Sequence, residues 1–155
     1  MKSTYRSILL FPSFIVVAAV AFTVLTLSRP SAFAQTEEKV ITTPSGLKYV
    51  DLVVGKGAIP QKGQKLAVNY VGRLEDGTKF DASADHGGKP FEYYHEVTQL
   101  IPGWTEGVST MHVGGKRKLI IPSRLGYGSD GAGDKIPPNA TLVFEIELLS
   151  AENVQ

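Results

Sequence analysis

Hydrophobic side chains recur on every second residue through much of this chain, and one short stretch departs from that rule. In Lys65–Leu74 the apolar residues Leu66, Val68, Tyr70 and Leu74 take alternate positions, with Asn69 and Arg73 between them. A period of two sends successive side chains to opposite faces, so this segment reads as a strand with one apolar and one wet face. Glu75-Asp76-Gly77 follows as a turn in which the glycine supplies a positive φ. Lys79-Phe80-Asp81 starts the return strand. Residues 90–94 form a short extended segment with Pro90 at its edge, and Lys116–Ile121 reads as another strand. Over residues 142–149, Leu142, Phe144, Ile146 and Leu148 share one face, and Glu145 and Glu147 the other.

The departure begins at Ile101. Ile101, Trp104, Thr105 and Val108 stand at i, i+3, i+4 and i+7, which is one face of a helix running from Pro102. Gly103 and Gly107 lower its intrinsic stability, so this helix needs a sheet to lie on. The predicted fold class is α+β, a curved antiparallel sheet over one short helix. Long loops rich in Gly, Asp and Pro, at residues 82–89 and 123–139, join the pieces. Loops of that length carried on a rigid scaffold are often functional.

The first residues follow different rules. Lys2 and Arg6 precede a nearly unbroken apolar run over residues 7–27, and Ala32-Phe33-Ala34 supplies a small-residue step. A basic start, an apolar middle and Ala-x-Ala predict a secretory signal peptide cut after Ala34. An uncleaved membrane anchor is the alternative, because a run of about 20 apolar residues can span a bilayer. Residues 35–43 are polar and patternless and read as a flexible lead. Residues 44–150 read as the folded domain and 151–155 as a tail. Without residues 1–34 the chain has 13 basic and 15 acidic residues, against 16 and 15 in the whole. A nearly neutral, mixed surface argues against nucleic-acid binding. The chain has no cysteine, so export to an oxidising compartment leaves stability to packing.

Most catalytic chemistries find no footing. Gly114-Gly115-Lys116-Arg117 lacks the Ser or Thr and the glycine spacing of a phosphate loop. His86, His95 and His112 have no metal-ligand spacing and read as surface or loop residues. There is no Gly-x-Ser-x-Gly elbow and no thiol nucleophile. What remains is aromatic: Tyr70, Phe80, Phe91, Trp104, Tyr127 and Phe144, drawn from six segments. Each alone reads most simply as a core residue. Phe80 leads into Asp81, however, and Tyr127 sits between two glycines in a loop. Together, on a sheet and a helix, they describe an apolar bowl with a few polar groups on its rim.

The motifs carry a resemblance. Val68-Asn69-Tyr70-Val71-Gly72, Leu74-Glu75-Asp76-Gly77-Thr78-Lys79-Phe80-Asp81-Ala82-Ser83, Ile101-Pro102-Gly103-Trp104, Tyr127-Gly128 and Ile136-Pro137-Pro138-Asn139-Ala140-Thr141-Leu142-Val143-Phe144 resemble the FKBP signature, in order and spacing. The resemblance implies a five- or six-stranded antiparallel half-barrel wrapped on a short helix, and peptidyl-prolyl cis/trans isomerase activity on proline-containing polypeptides without a cofactor. Trp104 would be the pocket floor, with Tyr70, Phe91 and Phe144 as walls. Phe80, Leu100 and Ile101 would complete the lining. Asp81 and Tyr127 would make polar contacts, and the Ile101 N–H would meet a substrate carbonyl. Ile136, Gln99 and His86 are expected beside the substrate. Leu100 stands where a Val is common, Gln99 where many members have an acid or amide, and His86 near a frequent Arg. Ala132 and Lys135 replace residues that in some members touch macrolide inhibitors, which are further expected ligands. A monomer in a periplasm or a photosynthetic (thylakoid) lumen is expected. A non-catalytic proline-binding or chaperone module of the same fold is the alternative.

Mass spectrometry of the exported protein is expected to find a soluble chain beginning at Gln35. An intact Met1 in the membrane fraction would establish the anchor instead.

Overall fold

The computed structural model describes residues 39–154, so the expected leader lies outside the described residues. Seven strands surround one helix: β1 (Ile41–Thr42), β2 (Lys48–Val53), β3 (Lys65–Leu74), β4 (Lys79–Ala82), β5 (Phe91–Tyr94), α1 (Pro102–Val108), β6 (Lys116–Ile121) and β7 (Leu142–Glu152). Two single 3-10 turns, at Ser83–His86 and Ser123–Leu125, lie in the long loops. The strands form one antiparallel sheet in the order β1-β2-β6-β7-β3-β4, and β5 also pairs with β3. This is the expected curved antiparallel sheet with one short helix.

The alternation predicted in β3 and β7 builds the core. Their register runs from Lys65↔Glu152 to Leu74↔Leu142. Leu66, Val68, Leu142, Ile146 and Leu148 are all fully buried along it. On the other side of β3, β5 pairs with its first four residues and β4 with Val71–Arg73. Thus β4 and β5 share one edge of the sheet, and the segment between them bulges out. Asp81 stands just before that interruption.

The helix approaches the sheet through its glycines. A methyl on Gly103 would lie 2.5 Å from Ile121 Cγ2, and one on Gly107 2.5 Å from Leu119 Cδ1. Any side chain there would lift α1 off β6. The residues that weaken the helix on its own are those that let it pack. Arg117, on β6 and nearly buried, holds the far end. Its Nη1 donates to the Gly107 carbonyl at 2.8 Å and to Thr110 Oγ1 at 2.6 Å. Its Nε and Nη2 pair with both carboxylate oxygens of Asp51, and the guanidinium lies 4.0 Å from the Tyr49 ring centroid. A buried guanidinium is tolerated because its donors are engaged.

Four expectations change. Residues 35–43 are not patternless throughout, because Ile41 and Thr42 pair with Tyr49 and Lys48 as β1. The tail expected from residue 151 is strand through Glu152, since Ala151 and Glu152 pair with Leu66 and Lys65. With β1 and β2 added, the strands number seven. β2 lacks a clean period because it is bulged near Leu52 and only Val50 is buried. His95 is not a surface histidine: it is 1% exposed, its backbone N–H donates to the Gln64 carbonyl, and its Nδ1 has no partner among the described residues. Burial holds its pKa below the usual imidazole value, against the opposing pull of Glu96.

Gly107→Ala separates helix propensity from packing. Propensity alone would stabilise by about 0.5–1 kcal/mol, whereas the fully buried Leu119 cannot yield. A net loss of about 1–3 kcal/mol is expected in chemical denaturation. A gain in stability would refute the close approach.

Candidate active site

The site begins at Trp104, which projects from the first turn of α1 and is 5% exposed. Its ring meets Tyr70 and Phe144 edge to face, each with centroids 5.2 Å apart. Phe91 and Tyr93 stand 6.3 Å away in the same manner. The indole N–H donates to the Tyr93 hydroxyl at 3.1 Å. That bond satisfies the buried donor behind the floor. Burial pushes the Tyr93 pKa up to about 12, with the Trp104 bond acting the other way.

Strand pairing delivers the walls. Gly72 on β3 lies opposite Phe144 on one side and Asp81 on the other. Its missing side chain matters: a methyl there would lie 2.7 Å from both the Phe80 and the Phe144 rings. Those rings occupy the space and meet edge to face at 5.4 Å. Phe91 and Tyr70 meet at 5.9 Å. The result is a cavity of about 550 Å³.

The polar rim is concentrated at Asp81. Its Oδ2 accepts the Tyr70 hydroxyl at 2.7 Å. Its Oδ1 accepts the Ala82 N–H at 2.9 Å and lies 2.7 Å from His86 Nε2. Burial alone would raise the Asp81 pKa, but the hydrogen bonds from Tyr70, His86 and Ala82 hold it below the usual carboxylate range. Burial, then the bond to Asp81, pushes the Tyr70 hydroxyl well above the usual tyrosine range. The carboxylate and the phenol therefore keep one protonation state through neutral pH. Ser83 helps to seat Tyr70, accepting its N–H at 3.1 Å. Tyr127 stands on the rim, 41% exposed.

Ten of the twelve residues singled out from the sequence line this cavity, together with Pro102. His86 does not line it and reaches the site only through Asp81. Ile136 is a buried core residue that lines a different cavity. Tyr93 and Ser83 carry no sequence signal of their role. They act from behind the lining, and only the tertiary structure reveals their hydrogen bonds.

Fold and pocket together define a protein of the FKBP class. Residues 56–149 match the family described as FKBP-type peptidyl-prolyl cis-trans isomerase, and the chain belongs to that family. Among its relatives, "FK506-binding protein" of Neisseria meningitidis serogroup B is 53% identical over 104 residues, covering 67% of this chain and 94% of the relative. "FK506-binding protein 4" of Dictyostelium discoideum is 50% identical over 111 residues, covering 72% of this chain, which spans only 30% of that protein's length. The crystal structure of FkpA from Escherichia coli superposes with a TM-score of 0.70 at 42% identity, covering 79% of this chain and 55% of that one.

The lowered pKa of Asp81 carries a sign. A carboxyl whose folded pKa lies below its unfolded value stabilises the fold above the unfolded value and loses that contribution as pH falls through the folded one. Wild type is therefore expected to exceed Asp81→Asn in unfolding free energy at pH 6, with the gap narrowing as pH falls below the ordinary carboxyl value. Over a third of the Asp81 side chain is exposed, so the gap should stay below about 1 kcal/mol. A gap unchanged on acidification would deny the ionised hydrogen-bonded carboxylate.

Proposed function

We propose that this protein accelerates cis–trans rotation about X–Pro bonds in exported polypeptides, by shape and desolvation. The observation that carries the reading is the aromatic bowl over Trp104, apolar at its floor and polar only along its rim. A proline ring is an apolar group suited to such a bowl. FK506-type macrolides are proposed as competing ligands, because relatives bear the name FK506-binding protein.

Rotation about an X–Pro bond is slow because it breaks amide resonance, with a barrier of about 18–20 kcal/mol. In the twisted transition state the C–N bond loses double-bond character and the amide loses charge separation. A dry apolar pocket disfavours the planar, charge-separated ground state relative to the twisted one. The N–H of Ile101, at the N-cap of α1, makes no hydrogen bond among the described residues. It is proposed to hold a substrate carbonyl, and the Tyr127 hydroxyl a second. Only contacts stronger in the twisted form speed the step. A hundredfold acceleration needs about 2.7 kcal/mol of such preference. Since no proton is transferred, no titrating acid–base pair is required.

Turnover of a Leu-Pro tetrapeptide tests the reading, with stability measured beside it. Phe80→Ala is expected to open the wall and lower kcat/KM strongly, at a stability cost of about 3–5 kcal/mol. Tyr127→Phe should lower it by up to about tenfold if its hydrogen bond is used. Asp81→Leu should cut turnover while the domain still folds. Wild-type turnover in both folded Phe80→Ala and folded Asp81→Leu would show that the pocket is misassigned. Proline-peptide binding without turnover in the parent would establish a binding module.

A further inference from the structure

The loop after Tyr127 is tied to the pocket wall by a single side chain. Lys135 Nζ donates to the Phe80 carbonyl at 3.1 Å, across 55 positions of sequence, and the bond is partly buried. It is the one side-chain hydrogen bond from residues 127–138 to β4 among the described residues. The carbonyl is available for a reason. Gly72 pairs with Asp81 and Arg73 with Lys79, so the register slips at Phe80 and leaves it without a β3 partner. β4 is also an edge strand, with nothing beyond it in the sheet.

The loop is shaped to present this lysine. Ala132 and Ile136 exchange backbone hydrogen bonds of 2.8 and 3.1 Å, closing a tight turn just before and after it. Gly131 permits that turn, with φ at +64° and no room for a side chain against the Ile136 carbonyl. The Asn139 N–H donates to the Gly128 carbonyl at 2.8 Å, joining the loop's end to the residue after Tyr127. Lys135 also lines a second cavity of about 560 Å³ with Leu74, Ile136 and Pro137, apolar neighbours for its methylene stem. Successive residues at the start of β4 line the two cavities: Phe80 and Asp81 the first, Thr78 and Lys79 the second.

We propose that Lys135 is a positioning residue for substrate, holding the Tyr127 loop to the Phe80–Asp81 wall and so setting the width and dryness of the pocket mouth. An ordinary exposed lysine contact contributes almost nothing. This one differs in its acceptor, the carbonyl at the register slip of an edge strand, in the backbone of the residue whose ring forms the wall. The inference rests on the isomerase reading for its kinetic consequence but not for its structural one.

Trp104 is the only tryptophan of the chain, so its fluorescence reports on the pocket floor alone. In Lys135→Met, acrylamide quenching of Trp104 is expected to rise about twofold, and the KM for a Leu-Pro peptide about three- to tenfold with kcat nearly unchanged. Lys135→Arg should restore both values, because its guanidinium can reach the same carbonyl. Combined with Tyr127→Phe, Lys135→Met should be less than additive in kcat/KM. Thermal melting separates these effects from a general loss of stability. Unchanged quenching and unchanged KM in a folded Lys135→Met variant would overturn the proposal, as would failure of arginine to rescue. If the parent lacks turnover, the isomerase reading fails alone, and quenching still decides the role of Lys135.

Discussion

The contact on which the site depends is the approach of α1 to β6 through two missing side chains. Gly103 and Gly107 bring the helix backbone against Ile121 and Leu119. Trp104 lies between those glycines in sequence, so the same approach that buries the helix sets the depth of its indole. At ordinary helix–sheet spacing the ring would ride higher and the bowl would be shallower. Arg117 secures the approach at the other end by binding the Gly107 carbonyl while it pairs with Asp51 on β2. Seven residues of helix have little stability of their own. This helix exists because the sheet holds it, and it is held where the floor is needed.

That dependence explains what could be read from the sequence. β3 and β7 were legible because each buries one face, and a period of two survives wherever burial is one-sided. The pocket residues were legible because aromatics in loops and beside acids depart from core expectation, and because their motifs resemble one family. β1 and β2 were not, since an edge strand with a bulge and one buried residue leaves almost no pattern. Nor was the setting of His95: a histidine does not show from its neighbours whether the end of a strand turns it inward. Ile136 was expected at the substrate because it belongs to a pocket motif, yet it sits in the core behind the loop. The motif fixes the loop's path as much as the pocket's lining.

The polar groups follow a consistent division. Most of those around the pocket are spent on one another: Trp104 on Tyr93, Tyr70 on Asp81, and Asp81 on Ala82 and His86 as well. An unsatisfied polar atom facing the bowl would draw water into it. Among the described residues, the Ile101 N–H and the Tyr127 hydroxyl are left without such a partner, on two residues that line the cavity.

The edge of the sheet gives the mouth its shape. β4 and β5 both border β3, but the chain leaves the edge between them, and Asp81 stands at the point of departure. Asp81 itself is still in the ladder, paired with Gly72, and Ala82 after it pairs with Val71 before the chain leaves the edge. The Asp81 carboxylate meets Tyr70 through one oxygen, and His86, from the segment that follows the edge, lies against the other. The register slip one residue earlier frees the Phe80 carbonyl for Lys135. Two irregularities in one short strand thus supply both anchors of the rim, one for the bulge and one for the Tyr127 loop. The regular strands build the core, and the places where pairing fails border the pocket.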